Sequence, residues 1–117
     1  MRLTYEVLSN VQWTVEPDAE QWLAGYTLGD RLVRTWSATV DADDVEMAAE
    51  VVFVRHNADF RPDGQAGPSL SVGDVVVVRT ADGPVALACA PVGFVRVALP
   101  ANVERRRSWR EVTAERR

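Results

Sequence analysis

The sequence predicts a single α+β domain in which a curved, mainly antiparallel sheet carries one main helix on one face. Short segments rich in Val or in alternating apolar residues recur along the chain, separated by Gly, Pro, Asn and Asp, as is typical of strands and their turns. Residues 43–57 instead repeat their apolar residues at helical spacing. An open curved sheet and a barrel-like closure stay as alternatives within this fold class.

The composition fits one globular domain. The chain has 117 residues, of which 47% are hydrophobic and 26% are charged, values that exclude wholesale disorder. A chain of this length buries roughly two-thirds of its unfolded surface and needs no metal or disulfide to fold. We divide it into an α+β body, residues 1–100, and a basic C-terminal tail or helix, residues 101–117.

The N-terminal part is predicted to contain two strands and a short helix. RLTYEVL predicts the first strand, with one face formed by Leu3, Tyr5 and Val7. A turn at Ser9-Asn10 then leads to a second short strand in VQWTV. Pro17 and Asp18 begin a short helix, which ends at Gly25.

Two segments, YTLGDRLVRT and LSVGDVVVVRT, share the order Gly, Asp, apolar run, Arg and Thr. Gly29 and Gly73 allow a tight turn, and Asp30 and Asp74 can accept hydrogen bonds from turn amides. Each pair therefore opens a strand, the first over residues 31–40 and the second in VVVVRT, which is apolar on both faces like a central strand. Because the flanking segments share nothing else, we interpret the pattern as turn chemistry rather than duplication.

Residues 43–57 predict an amphipathic helix. Asp41 or Asp43 is expected to cap its first turn, and Asn57 to end it. Its predicted buried face contains Val45, Ala48, Ala49, Val52, Phe53 and His56. A loop over residues 58–71 follows, because this segment contains two prolines and two glycines.

The C-terminal strands follow from turn signals. The sequence Ala81-Asp82-Gly83 predicts a hairpin between VVVVRT and VALACA, and FVRVAL predicts a third strand. The single cysteine, Cys89, lies in the returning strand, so we expect a buried free thiol in a reducing cytosol. No secretory signal or membrane-spanning segment is found, which predicts a cytoplasmic protein without membrane contact.

Charge is distributed unevenly. Residues 1–100 contain seven Arg against fourteen Asp and Glu, a net charge of −7, whereas residues 101–117 contain six Arg against three Glu, a net charge of +3. The acidic body disfavours nucleic-acid binding, while the tail suits an acidic partner. The candidate binding residues of the tail are Arg105, Arg106, Arg107, Trp109 and Arg110.

The loop and the strand after it supply a second set of candidate binding residues, namely Asn57, Arg61, Asp63, Ser69, Ser71 and Asp74. Polar loop residues beside a stable scaffold often form binding sites. The same residue types also hydrogen-bond the backbone of their own loop. Both interpretations stay open at this stage.

Residues 54–94 carry a more specific pattern. VRHNADFRPDGQAGPSLSVGDVVVV, followed after a hairpin by VGFVRV, resembles the YodL-like domain family of bacterial plasmids, phages and integrative elements, over residues 26–97. The matching positions are Asn57, Pro62, Gly67, Ser69, Leu70, Ser71, Val72, Asp74, Val75, Val76, Gly93 and Phe94. The chain departs from the family at Pro68, where a His is expected, and at Gly73, where a Ser is expected. The resemblance implies an accessory protein of a mobile element, without an established reaction.

Catalytic and metal-binding patterns are not found in the sequence. His56 is the single histidine, and such a residue at the end of an amphipathic helix is more often packed than catalytic. One His and one Cys cannot supply the usual zinc ligands, and the acidic residues of segment 41–50 lack the calcium-loop pattern. We therefore expect no metal, no cofactor and no enzymatic activity.

Two functions of different class follow. The leading hypothesis is a non-catalytic binding module of a mobile element that recognises a protein partner. The alternative is a nucleic-acid-binding module, similar in its turns to PUA or ASCH barrels, that uses the Arg-rich tail. An enzyme that uses His56 or the loop at residues 69–74 would need a pocket holding these groups together. The oligomeric state does not follow from the sequence.

Overall fold

The computed structural model describes residues 1–11, 26, 29–57 and 70–104, and these form six strands and one helix. In chain order they are β1 (Arg2–Asn10), β2 (Leu32–Asp41), α1 (Val45–Asn57), β3 (Val75–Thr80), β4 (Gly83–Cys89), β5 (Phe94–Val97) and β6 (Val103–Glu104). One sheet has the order β5-β4-β3-β1-β2-β6, with every pair antiparallel except β2 and β6. The sheet curls into a half-barrel and α1 packs on it, which confirms the predicted α+β class.

Strand β3 is central and buried on both faces, as its run of valines predicts. Val76 and Val78 point into the core between the sheet and α1, and Val75 and Val77 point into a second core on the opposite face. Burial of one valine side chain contributes about 1.5–3 kcal/mol. The first core also contains Leu3, Tyr5, Val7, Val40, Ala48, Ala49, Val52 and Leu87.

Strand β1 continues through Asn10, so the predicted turn at Ser9-Asn10 is wrong. A β-bulge between Val7 and Leu8 shifts the pairing with β2. Beyond the bulge, the Ser9 and Thr35 hydroxyl groups share a buried hydrogen bond of 2.8 Å. Because the polar groups of Ser9 and Asn10 find buried partners, the strand accommodates two residues that usually favour turns. The strand predicted in VQWTV and the helix predicted after it lie outside the described residues.

Helix α1 begins one residue after its cap, Asp44, whose Oδ1 accepts a 2.7 Å hydrogen bond from the Met47 N–H. The prediction of Asp41 or Asp43 as the cap is wrong, since Asp41 still belongs to β2. The buried face contains Val45, Ala48, Ala49, Val52 and His56. Phe53 was also expected there, but it is 38% exposed, because it lies at the side of the helix where it contacts Phe94.

The C-terminal strands follow the predicted hairpin. Thr80 and Gly83 end the pairing of β3 with β4, and Gly83 has a φ of 120°, which a residue without Cβ adopts without strain. Strand β5 then pairs with β4. Strand β6 lies beside Leu32 and Val33 of β2, so the sheet continues past Pro100 into the first residues of the predicted tail.

Candidate functional site

Asn10 joins the two Gly-Asp turns at one end of the sheet. Its backbone N–H donates to Oδ1 of Asp74 at 2.8 Å. Its side-chain amide donates to Oδ2 of Asp30 at 2.9 Å and to the carbonyl of Gly73 at 3.0 Å. Asp74 is fully buried, and its Oδ2 accepts from the Ser71 N–H at 3.0 Å, which confirms its predicted role in the turn. The repeated pattern therefore supplies two carboxylates that meet at one asparagine.

Asn57 bonds to the backbone of Leu70 in both directions. Its Nδ2 donates to the Leu70 carbonyl at 3.0 Å, and its Oδ1 accepts from the Leu70 N–H at 2.9 Å. Asn57 and Asp74 thus hold the chain's own backbone, and Ser71 is exposed. The other predicted binding residues, Arg61, Asp63, Ser69, Arg105, Arg106, Arg107, Trp109 and Arg110, lie outside the described residues, so their role stays a prediction.

His56 is packed in the interior. It is fully buried, and its Nε2 shares a 2.8 Å hydrogen bond with the hydroxyl of Tyr5. Its ring also lies edge-on to the rings of Tyr5 and Trp36, at centroid distances of 5.8 and 5.7 Å. These contacts fix α1 on β1 and β2, which is the packed role that the helical pattern favours.

The arginines of the described ranges are mostly paired with carboxylates. Glu6, which is 7% exposed, accepts two hydrogen bonds from Arg79, at 3.0 and 2.7 Å, and lies 2.5 Å from Nε of Arg34. Three further pairs are Arg2 with Asp41, Arg31 with Glu104, and Arg96 with Glu46. This part of the surface therefore offers little unpaired positive charge to a phosphate backbone.

The outward face of α1 carries a row of exposed apolar side chains with Glu50 and Arg55 beside it. Met47, Val51 and Val54 are 42%, 36% and 66% exposed, although α1 already buries a complete apolar face against the sheet. A helix on a protein surface usually has a polar outer face, so three exposed apolar side chains in one row are unusual. Exposed apolar residues grouped in this way indicate an interaction surface.

A groove lies between α1 and the turn that joins β4 to β5, and we call it the α1 groove. It has a volume of about 370 Å³ and is lined by Glu50, Phe53, Val54, Cys89, Ala90, Pro91, Gly93 and Phe94. It adjoins a second depression of about 460 Å³, which shares Phe53, Cys89, Ala90 and Pro91 and adds Leu70, Ser71 and Val72. The edge-on contact of Phe53 with Phe94, at 6.2 Å, forms one wall.

The shape of the groove follows from the β4–β5 turn. The Ala90 N–H donates to the Gly93 carbonyl at 3.1 Å, and Gly93 has a φ of 69°. A residue without Cβ adopts this left-handed conformation readily, so Gly93 suits the tight turn that forms the edge of the groove. The sequence signal for the groove was Pro91-Val92-Gly93, which marks a turn but does not show that α1 lies next to it.

Cys89 lines the groove but is itself buried, as predicted. Burial first, and then the negative charge of Asp74, raises the pKa of its thiol to about 11. The thiol is therefore protonated at neutral pH. A protonated thiol is a small apolar group here, not a nucleophile.

The described ranges contain no group of three His, Cys, Asp or Glu side chains that could hold a metal ion. Within those same ranges, no helix has the length and apolar character required to cross a membrane. No protein-family model, curated protein or solved structure matches the chain. The resemblance to the YodL-like family therefore stays a prediction.

Proposed function

We propose that the protein is a non-catalytic, cytoplasmic accessory module of a mobile element that binds a protein partner through the α1 groove. The observation that carries this proposal is the apolar surface that continues from Val54 over Phe53 and Phe94 to Pro91. Interfaces gain most of their affinity where a few apolar or aromatic side chains enter such a pocket and lose their water. The mobile-element setting follows only from the family resemblance.

The groove suits one anchor side chain of a partner. Its volume of about 370 Å³ is near the lower end of the range for small binding sites, and among the described residues that line it Glu50 is the single charged one. An aromatic or branched aliphatic side chain, carried on an extended or helical segment, fits this chemistry. The partner's flanking residues are expected to be basic, because the body of the chain is acidic.

The described contacts favour a protein partner over nucleic acid. Binding of a phosphate backbone requires a stripe of available Arg or Lys, whereas the described arginines other than Arg55 face carboxylates. An apolar groove contributes nothing to phosphate binding. The packing of His56 against Tyr5 and Trp36 supports the non-catalytic part of the proposal.

The test is affinity capture from a nuclease-treated bacterial lysate with the full chain. Ala90→Glu places a carboxylate inside both parts of the groove. Val95→Glu is the matched control, since Val95 is 51% exposed and its side chain alternates to the opposite face from Phe94 and Arg96, which contact α1. We expect one protein to be captured by the wild type and the control, and lost with Ala90→Glu.

Equal capture by the Ala90→Glu variant would contradict the groove as the binding site. The same capture is run from an untreated lysate, and capture that is seen there but lost after nuclease treatment would favour the alternative, a nucleic-acid module that uses the Arg-rich tail. The folded state of each variant is checked by thermal unfolding, because a glutamate in a half-buried position can lower stability without altering the site.

A further inference from the structure

We propose that α1 also pairs two copies of this chain, side by side and parallel, through the stripe formed by Met47, Val51 and Val54. These residues follow each other at spacings of four and three, which is the repeat of a coiled-coil seam. All three side chains are exposed. The occupant of this face is therefore a second α1, whose stripe has the same spacing and chemistry.

The charges beside the stripe specify the partner and its direction. With Val51 at the first core position of a heptad, Glu50 lies on one flank of the stripe and Arg55 on the other. In a parallel pair, the residue on the first flank faces the residue five positions later in the second helix, so Glu50 of each copy meets Arg55 of the other. An antiparallel pair would instead bring like charges together on each flank. The surface is thus self-complementary in the parallel arrangement only.

The local structure leaves these two side chains able to pair. Arg55 donates one hydrogen bond, from Nη1 to the Thr39 carbonyl at 2.8 Å, and that contact is exposed to solvent. Its other N–H groups can reach a carboxylate without breaking this bond. Glu50 is exposed and lines the α1 groove, so the second copy would add the Arg55 cation to the rim of each groove.

The stripe is short, since α1 has 13 residues. A pairing of this size belongs to the small, weak class of interfaces, and we expect a dimer in the micromolar range. The stripe shares Val54 with the α1 groove, but the pairing is argued from Met47, Val51 and the flanking charges, so this inference does not rest on the proposed function. Ala90→Glu tests the groove alone and leaves the stripe intact.

The first experiment is sedimentation velocity on the full chain between about 1 and 200 μM, a range chosen to bracket the weak interface class. We expect the weight-average mass to rise toward that of two chains. Val51→Glu should abolish this rise, and Val95→Glu should leave it unchanged. A chain that stays monomeric at the highest concentration, or a dimer that persists with Val51→Glu, overturns the proposal.

Charge variants test the direction of the pair. Glu50→Arg and Arg55→Glu each create two like-charge contacts in a parallel dimer and should weaken it at least tenfold. An equal mixture of the two variants restores both attractive contacts, so it should dimerise like the wild type. If the single variants dimerise as well as the wild type does, the parallel arrangement is wrong.

Disulfide cross-linking tests the pairing without a substitution that is meant to break the dimer. Met47→Cys should form a disulfide between two copies under mild oxidation, because equivalent core positions lie side by side in a parallel pair. Val95→Cys is the control and should not cross-link. The native Cys89 is buried and does not interfere. Cross-linking of both variants at the same rate would count against the stripe.

Discussion

Asn10 and Asp74 lie 64 residues apart in the sequence, and the backbone N–H of one donates to the buried carboxylate of the other at 2.8 Å. Through this bond the end of β1 is fixed to the turn that opens β3. The second carboxylate oxygen holds the N–H of Ser71. The Asp74 carboxylate thus accepts hydrogen bonds from two backbone N–H groups, those of Asn10 and Ser71.

We predict that Asp74→Ala lowers the free energy of unfolding by about 2–4 kcal/mol, because a buried amide left without an acceptor costs about 1–3 kcal/mol. The measurement is urea denaturation followed by circular dichroism. Asp82→Ala is the control, since Asp82 is exposed in a hairpin turn, and a change within about 0.5 kcal/mol is expected there. Equal effects of the two substitutions would contradict the role of Asp74.

Two tyrosines provide a second comparison. Tyr5→Phe removes the buried hydrogen bond to His56 and should cost about 1–2 kcal/mol. Tyr26→Phe makes the same chemical change at a buried hydroxyl that has no hydrogen-bond partner among the described residues, so it should be neutral or stabilising. Thermal and urea unfolding of both variants test this ordering, and the reverse order would sink it.

Two ion-pair sites differ in how deeply they are buried, and we expect this difference in their contributions to stability. Glu6→Ala leaves Arg34 and Arg79 without their shared carboxylate, and because both arginines are about half exposed, we expect a modest loss of about 1–2 kcal/mol. Asp41→Ala removes the pair with Arg2, in which both side chains are 74% exposed, and should change stability by less than about 0.5 kcal/mol. In 1 M salt, the loss of stability caused by Glu6→Ala should decrease less than the loss caused by breaking an exposed ion pair, because salt screens buried charges less.

The Cys89 thiol should react slowly. Its pKa is raised from 9.0 to about 11, so at pH 7 to 8 the thiolate population is lower by about 100-fold than that of a thiol with the unshifted pKa. Labelling by iodoacetamide at pH 8 should therefore be at least 100-fold slower in the folded protein than in 6 M guanidinium chloride. The rate should rise about tenfold per pH unit up to about pH 10 and then level off as the thiol ionises near pH 11. Labelling at similar rates in both states would show that the thiol is not buried and that its pKa is not raised.

The sequence predicted the elements whose pattern is local. The alternation of Leu3, Tyr5 and Val7, the valine run of β3 and the helical spacing in α1 each appear in the fold as expected. Two details were wrong. The cap is Asp44 rather than Asp41 or Asp43, and Phe53 lies at the side of the helix rather than on its buried face. Such details depend on where β2 ends and on what packs beside α1, and neither is encoded within a few residues.

The candidate site was less predictable. Asn10 looked like a turn residue because its partners, Asp30 and Asp74, are distant in the sequence. The α1 groove requires α1 and the β4–β5 turn to be neighbours, which follows from the strand order β5-β4-β3 and from no single motif. The exposed stripe of Met47, Val51 and Val54 was not predicted, because only packing shows which side chains of α1 face the sheet and which face solvent.

The pair of hydrogen bonds between Asn57 and Leu70 fixes the distance between the two ends of segment 58–69. The packing of α1 and β3 therefore depends little on the length of segment 58–69. Doubling the length of this segment costs only about 0.6 kcal/mol in closure entropy. The segment is consequently a natural insertion point. A tag or a foreign peptide placed there should be carried by the folded body, as long as Asn57 and Leu70 are kept.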